Sequence, residues 1–152
     1  MITLLKPILA ILTLILLASC ALRPISSEHN LIQIEKADFS TSDLGNGKIL
    51  IYNDANILHT SDNTSRLNIQ LDNKNLGQLR AKDFAVINLK NGKHVFNIMH
   101  IDVVNMRSEH EIIVTDSTKV IRVKPTITSN KLEIVNQLPQ NWDKYQYMNP
   151  NN

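Results

Sequence analysis

From Lys48 onward the chain is cut into strand-length apolar runs by closely spaced turn residues, with no long helical period. Ile49-Leu50-Ile51-Tyr52 is a short continuous apolar run suited to a buried strand. Leu67, Ile69 and Leu71 alternate with Asn68 and Gln70, the period of a half-buried strand. Asp72-Asn73-Lys74-Asn75 is a turn cluster, because Asn and Asp tolerate left-handed backbone and bond their own main chain. Leu76-Gly77-Gln78-Leu79 then returns, so residues 67–79 read as a hairpin. Phe84 to Leu89 is another strand, and Asn91-Gly92 is the strongest short turn signal, since type I′ geometry needs positive φ at both positions. His94 to Val104 resumes as a long strand. Glu111 to Thr115, Lys119 to Val123 and Leu132 to Val135 follow, separated by Asp116-Ser117-Thr118 and by Pro125 to Asn130. Seven or eight short strands predict an all-β fold, a two-sheet β-sandwich over residues 48–138.

Composition narrows the function classes. At 152 residues and a net charge of +2, the chain fits one domain with appendages and lacks the electrostatic footprint of a nucleic-acid binder. Its one Cys makes neither an internal disulfide nor a Cys-rich zinc site. The seven aromatics leave the core to Ile, Leu and Val, and the 18 Asn favour turns.

The N-terminus points to a compartment. Lys6 is the lone charge before Arg23, and Ile8 to Leu17 is apolar except for Thr13. That layout is a secretory signal, too short for a spanning helix of roughly 20 residues. Leu17-Ala18-Ser19-Cys20 resembles the lipobox of bacterial lipoproteins. The resemblance implies that Leu17, Ala18 and Ser19 are read by the signal peptidase. It also implies that Cys20 receives a diacylglycerol thioether and becomes the first mature residue. Several acyl chains make such an anchor permanent where one is marginal, at about 0.8 kcal/mol per buried methylene. Ala21, rather than Asp, follows the cysteine; by the enterobacterial family rule this implies export to the outer membrane.

Residues 1–19 are therefore expected as a signal peptide and 20–47 as a lipidated Cys and tether, the first ten or so residues a flexible spacer. Leu31 to Ile34 and Phe39 suit a first strand or a short helix, and spacing leaves both open. Residues 139–152 form a polar tail with Trp142, Tyr145 and Tyr147. It either packs on the sandwich, the favoured reading, or offers an exposed segment to a partner.

The run Ile69-Gln70-Leu71-Asp72-Asn73-Lys74-Asn75-Leu76-Gly77-Gln78-Leu79, then Phe84 to Leu89 and Lys90-Asn91-Gly92-Lys93-His94, with Ile49-Leu50-Ile51-Tyr52 upstream, is similar to the bacterial lipoprotein family catalogued as domain of unknown function 2846. It is also similar to PEGA-type β modules of envelope proteins. Asn73 stands where Gly is usual and Asn91 where Pro is usual. The resemblance implies a β-sandwich on a lipid anchor and no established reaction.

Chemistry-bearing residues are sparse. His94, His100 and Asp102 share one face of a predicted strand, and His110 lies between Glu109 and Glu111. His100, Asp102 and His110 make a divalent site across a hairpin on one reading, without a compact ligand motif. On the favoured reading they are solvent-face polar residues, with a hydrogen-bonded buried His as the variant that neighbouring Phe96 and Ile98 suggest. Ser61, Ser65 and Ser117 lack a nucleophile elbow, and the four Gly form no phosphate cradle. Lys74, Arg80, Lys82, Lys90 and Lys93 cluster near the turns of residues 72–93, read as solubilising charge before an anion or glycan contact. The expectation is a non-enzymatic, cofactor-free lipoprotein without nucleic-acid contacts. It attaches to the outer membrane through Cys20, faces the periplasm and meets an envelope protein or cell-wall partner. The alternative is a domain that binds glycan, peptidoglycan or another small ligand.

Overall fold

The apolar run Ile49-Leu50-Ile51-Tyr52 lies in β1 (Lys48–Asn53), the middle strand of a five-stranded sheet. The computed structural model describes residues 22–55, 65–101 and 104–151. The other strands are β2 (Leu67–Leu71), β3 (Lys74–Leu79), β4 (Asp83–Asn88), β5 (Gly92–Ile101), β6 (Asn105–Val114), β7 (Val120–Pro125), β8 (Asn130–Ile134) and β9 (Gln146–Tyr147). Sheet A has the order β8-β7-β1-β4-β9 and sheet B the order β3-β2-β5-β6. The fold is an all-β sandwich, with nine strands among the described residues. No helix among them is long and apolar enough to cross a membrane.

The space between the sheets is filled by alternate residues of both. Sheet A supplies Ile49, Ile51, Ala85, Ile87, Ile121 and Val123, while sheet B supplies Leu67, Ile69, Leu71, Leu76, Phe96 and Ile98. The opposite face of sheet A is also buried. Leu50, Tyr52, Phe84, Val86 and Val120 lie under Ile32, Ile34, Phe39 and Leu44 on one side and Leu138, Trp142 and Tyr145 on the other. A strand covered on both faces carries a continuous apolar run, which explains β1. Its neighbours are antiparallel β4 and parallel β7.

Six of the seven aromatics, Phe39, Tyr52, Phe84, Trp142, Tyr145 and Tyr147, gather in this outer layer. Trp142 packs on Phe84 with ring centroids 4.6 Å apart, and Tyr145 meets Tyr52 edge-on at 5.4 Å. The tail is thus part of the sandwich. Its β9 pairs in parallel with β4, and Met148 N–H donates to the Phe84 carbonyl at 2.8 Å. Leu31 bridges Ile87 farther along the same β4 edge. Lys36 ties the two covers together by donating to the backbone carbonyls of Asp143, at 2.6 Å, and Tyr145.

Three sequence expectations change. The segment read as a flexible spacer is docked over its described part: Leu22 is buried, and Glu28 N–H donates to the Asn75 carbonyl at 2.8 Å. Unpaired backbone on the outer side of β3 and the amides beside it supply the bonds that hold it. Asn91-Gly92 closes no hairpin, because β4 and β5 belong to different sheets. Gly92 alone of the pair has positive φ, +136°. The tight hairpin turn is Asp72-Asn73, with φ of 50° and 64°, as a type I′ turn requires. Finally, β6 begins at Asn105 rather than Glu111, pairing with all of β5. Its polar residues hide the strand signal because it is the edge of sheet B.

Candidate functional site

The residues assigned to lipidation and processing, Leu17, Ala18, Ser19 and Cys20, lie outside the described residues. Two positions beyond Cys20 the chain is fixed. Gln78 Nε2 donates to the Leu22 carbonyl at 3.3 Å and to Asn68 Oδ1 at 2.8 Å, while Asn68 Nδ2 donates to the Arg23 carbonyl at 2.8 Å. Glu28 bonds Asn75 twice, through its own N–H and through Oε2, which accepts Asn75 N–H at 2.7 Å. Residues 22–28 therefore run beside the β3 edge of sheet B.

That anchoring ends at a groove on the outer face of the same sheet. Cross-strand register sets Asn68 beside Met99 and Met99 beside Arg107; the next row is Gln70, Asn97 and Glu109. Ile25 forms one wall, and the groove holds about 440 Å³. The alternation in β2 creates it: Leu67, Ile69 and Leu71 point into the core, so Asn68 and Gln70 face outward. Asn68 is already bonded to Arg23 and Gln78, and Gln70 Nε2 donates to Asn75 Oδ1 at 3.0 Å, so the Asn97 amide with Arg107 and Glu109 supplies the donors and acceptors a polar ligand would meet. No aromatic residue lines the groove.

A second cavity of about 440 Å³ opens near Tyr52, Asp54, Lys82 and Arg122. Asp54 lies 3.8 Å from both Lys82 and Arg122, and it accepts the Tyr145 hydroxyl at 3.1 Å. Arg122 also pairs with Glu133, whose carboxylate is held down to about 2 by hydrogen bonds from Arg122 and then Lys131. Burial, reinforced by the Asp54 charge, pushes the Tyr52 phenol up to about 12 and raises Tyr145 as well. The phenols stay protonated and Glu133 stays ionised at neutral pH. Opposite charges satisfy one another here, so the network fixes the tail and presents no poised base or nucleophile.

The histidines separate. His100 is fully buried, with Nδ1 2.7 Å from Asn130 Oδ1, and Asn130 Nδ2 donates to the Ile98 carbonyl at 3.2 Å. His94 pairs with Asp72 at 2.6 Å beside the β2–β3 turn. Burial works against the Asp72 charge, but bonds from Val95 N–H and His94 outweigh it and hold the carboxyl below its usual range. His110 Nε2 lies 3.0 Å from Ser108 Oγ, and Asp102 is outside the described residues. No three His, Cys, Asp or Glu among the described residues are grouped to hold a metal. The basic residues of 72–93 also disperse: Lys82 faces Asp54, and Lys93 pairs with Glu111 at 2.5 Å on the far side of sheet B.

The groove was missed in the sequence. Its signal was the outward set Asn68, Gln70 and Asn97, but the cross-strand rows that join them depend on β5 pairing with β2 and β6. Compared with known proteins, the chain matches no family model, no curated protein and no solved structure.

Proposed function

We propose that the chain is a lipid-anchored envelope lipoprotein whose β-sandwich is a non-catalytic interaction module facing the periplasm from the outer membrane. One observation carries the reading: the lipobox-like run Leu17-Ala18-Ser19-Cys20 ends two residues before buried Leu22, where the packed body begins. Two residues span at most about 7 Å, so a lipid on Cys20 holds the sandwich at the bilayer rather than on a long leash. The groove beside Ile25 then stands near the membrane surface. Tethering raises the effective concentration of this face toward membrane and wall components. The resemblance to lipoproteins of the domain of unknown function 2846 family supports the same assignment.

Cys20→Ser tests it. The variant should accumulate as a precursor with no glycerolipid; normal maturation and membrane retention would refute the anchor.

A second reading is favoured by the amide-lined groove: a binding site for a glycan or peptidoglycan fragment. Titration with soluble muropeptides should then give saturable heat that Asn97→Ala abolishes. Absence of heat at millimolar muropeptide would exclude it.

A further inference from the structure

Sheet B has one long edge to which no second strand is hydrogen-bonded among the described residues, although β8 of sheet A lies near β6 across the sandwich. The β3 edge is capped by Glu28, while β6 runs ten residues from Asn105 to Val114 with β5 as its one strand partner. No backbone hydrogen bond from another described segment reaches residues 105–114. Along β6 the exposed residues are Asn105, Arg107, Glu109, Glu111 and Ile113, alternating with more buried side chains. Arg107 and Glu109 make no ion pair among the described residues. A free edge of this length is a template for another strand.

We propose that β6 is a homodimer edge, pairing antiparallel with β6 of a second copy about a two-fold axis at Ser108. The charge pattern selects this occupant and this register. Centred on Ser108, Arg107 faces Glu109 of the other copy and Glu109 faces its Arg107. Asn105 faces Glu111 in the same way. On the opposite side Met106 meets His110, and Val104, which is 58% exposed, meets Ile112. Moving the centre to Glu109 sets two carboxylates against each other; moving it to Arg107 sets two guanidinium groups against each other. Opposite charges across strands favour pairing and like charges oppose it. An isologous contact of this kind satisfies both edges at once and closes after two copies. It joins two four-stranded sheets into one of eight. The inference stands apart from the lipid anchor, because it needs only the described body.

The test uses the full chain purified in mild detergent. Ser108→Cys places two thiols at the axis, where strand neighbours lie about 4.5–5.5 Å apart between Cα atoms, inside disulfide range. It should form a disulfide-linked dimer on mild oxidation. Glu111→Cys places the thiols about 20 Å apart and should not. The parent chain, whose one cysteine is Cys20, gives the background. Sedimentation adds an independent arm. Arg107→Glu alone and Glu109→Arg alone should each raise the dimer dissociation constant about tenfold, and the double variant should restore it. Equal cross-linking of the two cysteine variants would overturn the proposal. So would a parent that stays monomeric at about 100 μM in sedimentation.

Discussion

Removing Tyr145 should release the tail and cost a large share of the stability. The side chain is 2% exposed, packs edge-on against Tyr52 at 5.4 Å and donates its hydroxyl to Asp54 at 3.1 Å. Truncating a buried aromatic to Ala costs about 3–5 kcal/mol. Tyr145→Phe keeps the ring and removes the hydroxyl. A hydrogen bond to a charged group contributes about 1.5–3 kcal/mol, and the 30% exposure of the Asp54 side chain lets water replace part of it, so about 1 kcal/mol is expected. Tyr145→Ala should therefore cost about 4 kcal/mol, against about 5–15 kcal/mol for a whole domain. Urea unfolding of the parent and both variants measures these differences, and trypsin cleavage at Lys144 reports tail release. In a chain of this size the Ala variant should melt about 8–16 °C lower. A loss below about 1 kcal/mol for Tyr145→Ala, without faster cleavage at Lys144, would refute the packed outer layer.

Two other perturbations follow from the same geometry. Glu133 is held near 2 by Arg122 and Lys131, down from the ordinary 4.5, so its share of stability is present above about pH 4.5 and lost as pH falls toward 2. Urea unfolding of the parent and Glu133→Gln across that window should show their difference shrinking with acidification; a constant difference would remove the ion pair from the account. Gly77 has φ of +122°, sits beside the register shift opposite Ile69 and Gln70, and has no room for a Cβ, which would lie 2.4 Å from Met148 Cε. Gly77→Ala should destabilise by about 1–3 kcal/mol through backbone strain and displacement of Met148, measured by the same unfolding assay.

Much of the sandwich was legible because its strands alternate or run apolar over strand lengths. Leu67, Ile69 and Leu71 mark one buried face, and Asp72-Asn73 supplies the αL-tolerant residues of the turn that follows. The tail was legible in part: packing was the favoured of two readings, because aromatics with polar tips also suit an exposed interface, and Trp142 and Tyr145 do stack, at 6.2 Å. What stayed hidden depends on partners distant in sequence. Nothing local tells β1 that β7 is its parallel neighbour. Asn91-Gly92 carries the chemistry of a hairpin, but the chain crosses to the other sheet there. The docking of Leu22 rests on Gln78, 56 residues away, and the groove needs three strands in register. Polar β6 carries little apolar signal because at the sheet edge even its inward-facing Met106, Ser108 and His110 are only half-buried.

The most direct test of the anchored-lipoprotein account is mass spectrometry of the N-terminal peptide from chain purified out of producing membranes. The account predicts a peptide that begins at Cys20 and carries a thioether-linked diacylglycerol. A peptide that begins at Met1, or one in which Cys20 is a free thiol, would contradict it.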